Sequence, residues 1–288
     1  MQKTFEVSGP IELDLRLASG EIEIDPSLDG RVEISLEAHD DDSQRLIDEA
    51  RVELQDHAER QRVIVDVPNR RGGGFSFGLV FGRSGITCRV RCPEASLVSV
   101  KSKSADVLAR GTIGGLSVQT ASGDVEVDRV LGDVSVKSAS GDIEAREIGD
   151  GTSIQTASGD VHIEVARGSV TIATASGDVR IGEAYDDVSA NTVSGDPDHG
   201  AVMTGTVAAH SVSGDVRIGV RRGSRVYLDC NTVSGDTSSD LELTPDAATG
   251  DGPLVEIRAK TVSGDIRITR ALARTTEAPS EPDQEVHA

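Results

Sequence analysis

The stretch TASGDVEVDRVLGDVSVKS, residues 120–138, holds two short alternations and two glycine turns. Val125 and Val127 flank Glu126; nine residues on, Val134 and Val136 flank Ser135. A period of two belongs to a strand with one buried face. Gly123 and Gly132 precede the two runs, where turns need a positive φ or a close backbone approach. Working outward, the phrase recurs as SGDVEV, SGDIEA, SGDVHI and SGDVRI, in register with a more diverged SADVLA. Its aspartates stand at Asp106, Asp124, Asp142, Asp160, Asp178 and Asp196, 18 residues apart each time. It continues at Asp215, Asp236 and Asp265, with steps of 19, 21 and 29. A fixed period of this kind marks a solenoid, whose repeats bury their apolar faces against one another. The expected fold is all-β: a parallel β-solenoid (β-helix) of about 18-residue coils, with an N-terminal β-rich cap containing one short helix.

The columns of the repeat agree. Val125 is followed by Ile143, Val161 and Val179; Val136 by Ile154, Ile172 and Ala190. Ser117, Ser135, Ser153, Thr171 and Ser189 form a polar column between apolar ones. Stacked at about 4.8 Å per coil, nine coils span roughly 38 Å. The residue before each corner serine is Ala121, Ala139, Ala157 and Ala175, then Val193, Val212, Val233 and Val262, which reads as packing at a buried or half-buried corner. The aspartate column sets like charges one strand spacing apart, at a cost of about 0.9 kcal/mol per pair in water. Capping of turn N–H groups by each carboxylate offsets that cost. The structural turn residues are accordingly Gly123, Asp124, Gly141, Asp142, Gly159, Asp160, Gly177 and Asp178.

Three regions are expected: a cap over 1–95, the repeat solenoid over 96–270 and a disordered tail over 271–288. Within the cap, LASGEIEI from Leu17 is a diverged copy of the repeat. A short helix follows, capped by Asp42 or Ser43, with Leu46, Ile47 and Ala50 on one face. It covers the open first coil, since solenoid ends need polar caps. Residues 51–55 and 62–67 alternate as a strand pair, and a strand runs over 86–91. Between these lies PNRRGGGFSFGLVFGRSG from Pro68, where Phe75, Phe77 and Phe81 stand among glycines and beside Arg70, Arg71 and Arg83. Binding hot spots favour aromatics and arginine, so this loop is the candidate contact with a protein partner or a membrane surface. The same residues also suit a lid folded on the cap. They do not form a phosphate loop, because no Lys-Ser/Thr follows the glycines. Two later segments, HGAVMTG from His199 and LTPDAATGDGP from Leu243, read as insertions that bulge from one edge.

Composition narrows the function. Aromatics are 2% with no Trp, which suits a narrow interior of small β-branched residues. A formal net charge of -20 argues against nucleic acid, which needs a basic footprint. The sequence shows neither an apolar leader nor a membrane-length run, so a cytoplasmic location is expected. Cys88, Cys92 and Cys230 read as buried or idle thiols.

With the SGD repeats, the SGE copy at Ser19 and the VRCPEASLVSV lead-in from Val90 taken together, the chain resembles the bacterial β-strand-repeat "putative adhesin" family, named for a domain of unknown function. The resemblance implies a parallel β-solenoid and carries no catalytic residues with it.

The residues themselves favour a non-enzymatic, intracellular structural or interaction protein, an acidic scaffold with no cofactor or metal. Enzyme chemistry fits poorly, because the aspartates form a ladder and not a pair across a cleft. His162, His199 and His210 fall in different columns. A calcium-binding β-roll is an alternative, but the glycine-dense liganding turn is missing. An exported surface adhesin is the other alternative. One column grades from acidic to basic along the coils: Glu126, Glu144, His162, Arg180, Arg217 and Arg267.

Overall fold

The computed structural model describes residues 1–56, 60–68, 85–241 and 252–271. Each coil crosses the molecule twice. Gly115–Gln119 lies on one face (face A), residues 120–124 turn the SGD corner, Val125–Val130 returns on the opposite face (face B), and 131–133 turn back to Val134–Lys137. Strands stack in parallel and in register: Val134 faces Thr152 on face A, and Ile143 faces Val161 on face B. Alternation sends Val125, Val127, Val130, Val134 and Val136 inward, each almost fully buried. Each such side chain contributes about 1.5–3 kcal/mol, which is how a narrow solenoid without large rings holds together.

The stack does not follow chain order at its ends. Glu12–Asp25 spans both faces and pairs along its length with Leu97–Ile113, Ser19 opposite Ser104. The LASGEIEI copy is therefore a coil of the stack. On its other side lie Gln61–Asp66 and Ile86–Arg91, which come later in the chain. Antiparallel strands finish this end: Arg51–Asp56 on face A, then Arg31–Ala38 and Gln2–Glu6 on face B.

At the other end, Gly205–His210 and Val216–Val220 pair with Leu254–Ser263 and Ile266–Arg270. The coil of Arg225–Ser234 and Thr237–Ser239 lies outside that one. The spatial order of the corner aspartates is thus Asp215, Asp265, Asp236. The residues of the two coils fit the exchange. Val255, Ile257, Ala259, Ile266 and Ile268 fill interior positions almost completely, whereas Val226, Leu228 and Cys230 are half-buried and Thr237–Ser239 has no apolar residue. The more apolar coil takes the inner place.

Three local expectations are corrected. The helix Asp41–Asp48 is capped by Asp40, not by Asp42 or Ser43: the Ser43 N–H donates to Asp40 Oδ1 at 2.7 Å and its hydroxyl to Oδ2 at 2.9 Å. Ser43 is fully buried in the first turn, so it is the capped residue. Ile47 faces the core, with Leu46 and Ala50 packed partly against it. Second, HGAVMTG is not an insertion off one edge. Pro197–Val202 is a strand of the stack, Ile181 opposite His199, and relative to the preceding coil one extra residue is taken up between Val202 and Val207. Against Val216–Val220 the register shifts by one residue between His199 and Val202.

Third, the Ala/Val column is not buried. Ala121, Ala139, Ala157 and Ala175 are exposed, and so are Val193, Val212, Val262 and Val233, the last at 79%. The inward position belongs to the residue before them. Thr156, Thr174 and Thr192 are buried, and the hydroxyls of Thr156 and Thr174 donate to the carbonyls of Ser158 and Ser176 at 3.0 and 3.1 Å. The hydroxyl column spans the corner, so its neighbour points to solvent.

Candidate functional site: an arginine-lined groove on face B

Gly123, Gly141, Gly159 and Gly177 adopt φ of +138°, +115°, +127° and +129°. At Gly159 an added Cβ would also collide with the carbonyl oxygen of Gly141, so glycine is required there twice over. Each aspartate reaches across one coil. The Asp142 N–H donates to Asp124 Oδ1 at 2.9 Å, Asp160 to Asp142 at 2.8 Å and Asp178 to Asp160 at 2.8 Å. The ladder continues past the chain-order exchange, with Asp265 donating to Asp215 at 2.9 Å and Asp236 to Asp265 at 2.8 Å. Among the described residues, no group of three or more His, Cys, Asp or Glu is arranged to hold a metal ion.

The loop residues Arg70, Arg71, Phe75, Phe77, Phe81 and Arg83 lie outside the described residues. Their segment joins Gln61–Asp66 to Ile86–Arg91 in the outermost parallel coil of the capped end. Cys88 and Cys92 are buried free thiols, both pushed up to about 12 by burial. His162 is exposed on face B and His210 half-buried on face A, while His199 takes an inward position, 1% exposed, with neither ring nitrogen hydrogen-bonded.

A broad recess lies on face B toward the far end of the stack. It is an open groove of about 980 Å³, running across the strands from Val161–Ala166 to Ile266–Arg270. Gly182 and Gly200 line its floor. They share one phase of the repeat with Gly219, which is buried and where an added Cβ would collide with the carbonyl oxygen of Gly200. One side is a column of one residue per coil, set by N–H bonds from Tyr185 to Ala166, Met203 to Ala184, Arg221 to Val202 and Ala271 to Val220. Tyr185 donates its hydroxyl to Glu183 at 3.0 Å, and the Arg167 guanidinium sits 5.0 Å from its ring centre. Arg167 is in turn bonded to Glu147 at 2.8 Å; this bond and that from Arg129 hold the Glu147 carboxyl below its usual range.

Charge is divided within the groove. Glu164 and Glu183 stand at the end nearer the middle of the molecule, and Arg221, Arg222 and Arg270 at the other. Elsewhere, most described arginines sit in ion pairs: Arg89 with Glu23 and Glu37, Arg180 with Asp178, Arg258 with Glu256. Arg221, Arg222 and Arg270 have no carboxylate partner among the described residues; Arg270 reaches only the Arg221 carbonyl, at 3.3 Å. A smaller hollow of about 560 Å³ on face A differs in this respect, since its one arginine, Arg62, is paired with Glu12.

The groove was not legible as a site in the sequence. A partial signal existed, the glycines Gly182, Gly200 and Gly219 at one phase of the repeat, but nothing linear joins them to Arg270. Among the described residues no helix is long and apolar enough to cross a membrane.

None of the curated proteins matches the chain. Similar solved structures include a "putative adhesin" from Bacteroides fragilis, 13% identical, covering 93% of this chain and 96% of that one at a TM-score of 0.48. A "putative lipid binding protein" from Parabacteroides distasonis is 14% identical, with coverage of 93% and 96% and a TM-score of 0.49. The Toastrack DUF4097 family model matches residues 11–269, which takes in both out-of-order ends of the stack, and the chain belongs to that family.

Proposed function

We propose that the protein is a non-enzymatic interaction scaffold working inside the cell. Its regions are a capped end to residue 95, a rigid acidic solenoid over 96–270 and a tail over 271–288. The observation that carries this reading is the groove on face B. A broad open recess with three arginines that have no carboxylate partner among the described residues, in a chain of net charge -20, suits another molecule. The Gly/Phe loop, residues 70–84, is the second contact in this reading. It would meet a protein partner or a membrane surface at the capped end. The corner glycines and aspartates serve the turns, and calcium plays no part.

Affinity capture from the native cell with the wild-type chain and with an Arg221→Gln/Arg222→Gln variant tests the reading. The expected result is one stoichiometric partner that the variant loses while keeping its melting temperature. Equal capture by both, or none by either, sinks the groove as the contact. Protease treatment of intact cells decides location. Protection supports the cytoplasmic reading, and digestion replaces it with an exported surface adhesin.

A further inference from the structure

We propose that the groove on face B binds an acidic oligosaccharide, a chain of sugar acids whose carboxylates meet Arg221, Arg222 and Arg270. This deepens the scaffold reading and rests on it. The charge pattern leads the argument. Among the described residues, most arginines are paired with carboxylates of the chain, and these three, at the same end of the same groove, are not. Arg221 and Arg222 are exposed and adjacent, and Arg270 is brought to them only because its coil stacks directly on that of Arg221. Guanidinium forks match carboxylates two bonds at a time, which makes arginine the usual reader of such groups.

The rest of the lining separates sugar from peptide. The floor is the outer face of a sheet whose N–H and C=O groups are used in coil-to-coil ladders, as in the bonds from Tyr185, Met203 and Arg221. A peptide laid there would bury its own backbone groups without partners, at a cost comparable to lost hydrogen bonds. A sugar chain instead carries hydroxyl donors, and Glu164 and Thr269 offer side-chain oxygens to accept from them. The ring faces of the sugar would lie on the Gly182–Gly200 floor beside Met203 and Tyr185. The groove crosses five strands, about 19 Å at the usual spacing, which suits an oligomer better than a single ring. Since Arg167 already stacks on Tyr185, charge and not ring stacking supplies most of the attraction. Binding should therefore weaken as salt rises.

Calorimetric titration of the full chain tests this, with three probes and two variants compared at low and physiological salt. A galacturonate hexamer should bind, and a neutral galactose hexamer at least tenfold more weakly. Arg222→Gln, at an exposed side chain with no partner among the described residues, should weaken the galacturonate hexamer severalfold. The Arg221→Gln/Arg222→Gln variant should weaken it at least tenfold, with an unchanged melting temperature. A peptide of residues 275–286, which carries Glu277, Glu281, Asp283 and Glu285, stands for an acidic peptide, including the chain's own tail. The proposal is overturned if the galacturonate hexamer fails to bind, if the neutral hexamer or the peptide binds as tightly, or if the arginine variants bind it like the wild type. If the galacturonate hexamer fails while groove-dependent capture of a partner persists, the ligand class alone is wrong. If both fail, the groove is not the contact.

Discussion

His199 occupies the position that Ile181 and Ile218 hold in the neighbouring coils, fully inside and without a hydrogen-bond partner for either nitrogen. Burial lowers it to about 4 from an ordinary 6.5. Between those values the unfolded chain binds a proton that the folded chain refuses, so stability is complete above about pH 6.5 and falls with acid toward 4. The loss across that window is about 3 kcal/mol. Replacing His199 with Ile should flatten the denaturation midpoint between pH 6.5 and 4.5, measured against wild type; parallel curves would show that the imidazole is solvated. A second residue-scale test concerns the corner. Gly159→Val combines a positive φ with a backbone collision, and should lose about 1–3 kcal/mol from strain alone. Ser153→Val, on the exposed polar column, should change little. Equal losses would remove the corner's special geometry as the cause.

At the scale of elements, the unexpected feature is the exchange of the last two coils. It predicts which serines are neighbours. Ser213 pairs with Ser263, so cysteines at these two positions, with Cys230 changed to Ser, should form a disulfide on mild oxidation. Adjacent strands sit near 4.8 Å apart, inside the span a disulfide bridges. Cysteines at 213 and 234 stand two coils apart and should stay reduced; the reverse outcome would restore chain order. The aspartate ladder is the other element-scale feature. Each Oδ1 is already accepting an N–H from the next coil, so the carboxylates have a structural use without a cation. Melting curves in chelator and in millimolar calcium should coincide, and a large rise with calcium would make the ladder a metal site.

For the whole molecule, the two ends are finished differently. One is closed by antiparallel strands and a helix, the other ends in a half-buried parallel coil beside the arginine-lined groove. The strands that flank the Gly/Phe segment in sequence, Gln61–Asp66 and Ile86–Arg91, belong to the closed end. Changing Phe75, Phe77 and Phe81 together to Ser should leave the melting temperature in place and abolish binding to the captured partner or to anionic vesicles, if the loop is a contact. A much earlier melt would assign the phenylalanines to the core of the cap. By itself, the sequence determined the solenoid, its 18-residue coil, its in-register columns and the phase of its turns. Those follow from short-range rules, alternation along a strand and glycine at a corner, that repeat within one coil. It also held the helix Asp41–Asp48, though not its cap, because Ser43 and Asp40 are told apart only by which of them the core buries. Only the tertiary structure decided which coil lies next to which, which corner column faces water and which arginines meet. Those depend on contacts between segments as far apart as Asp215 and Asp265. The coil of Leu254–Ser263 lies inside that of Arg225–Ser234, and the residues their second strands turn inward differ, Ile266 and Ile268 against Thr237 and Ser239. Which of the two stacks on Val216–Val220 is a contact between distant segments.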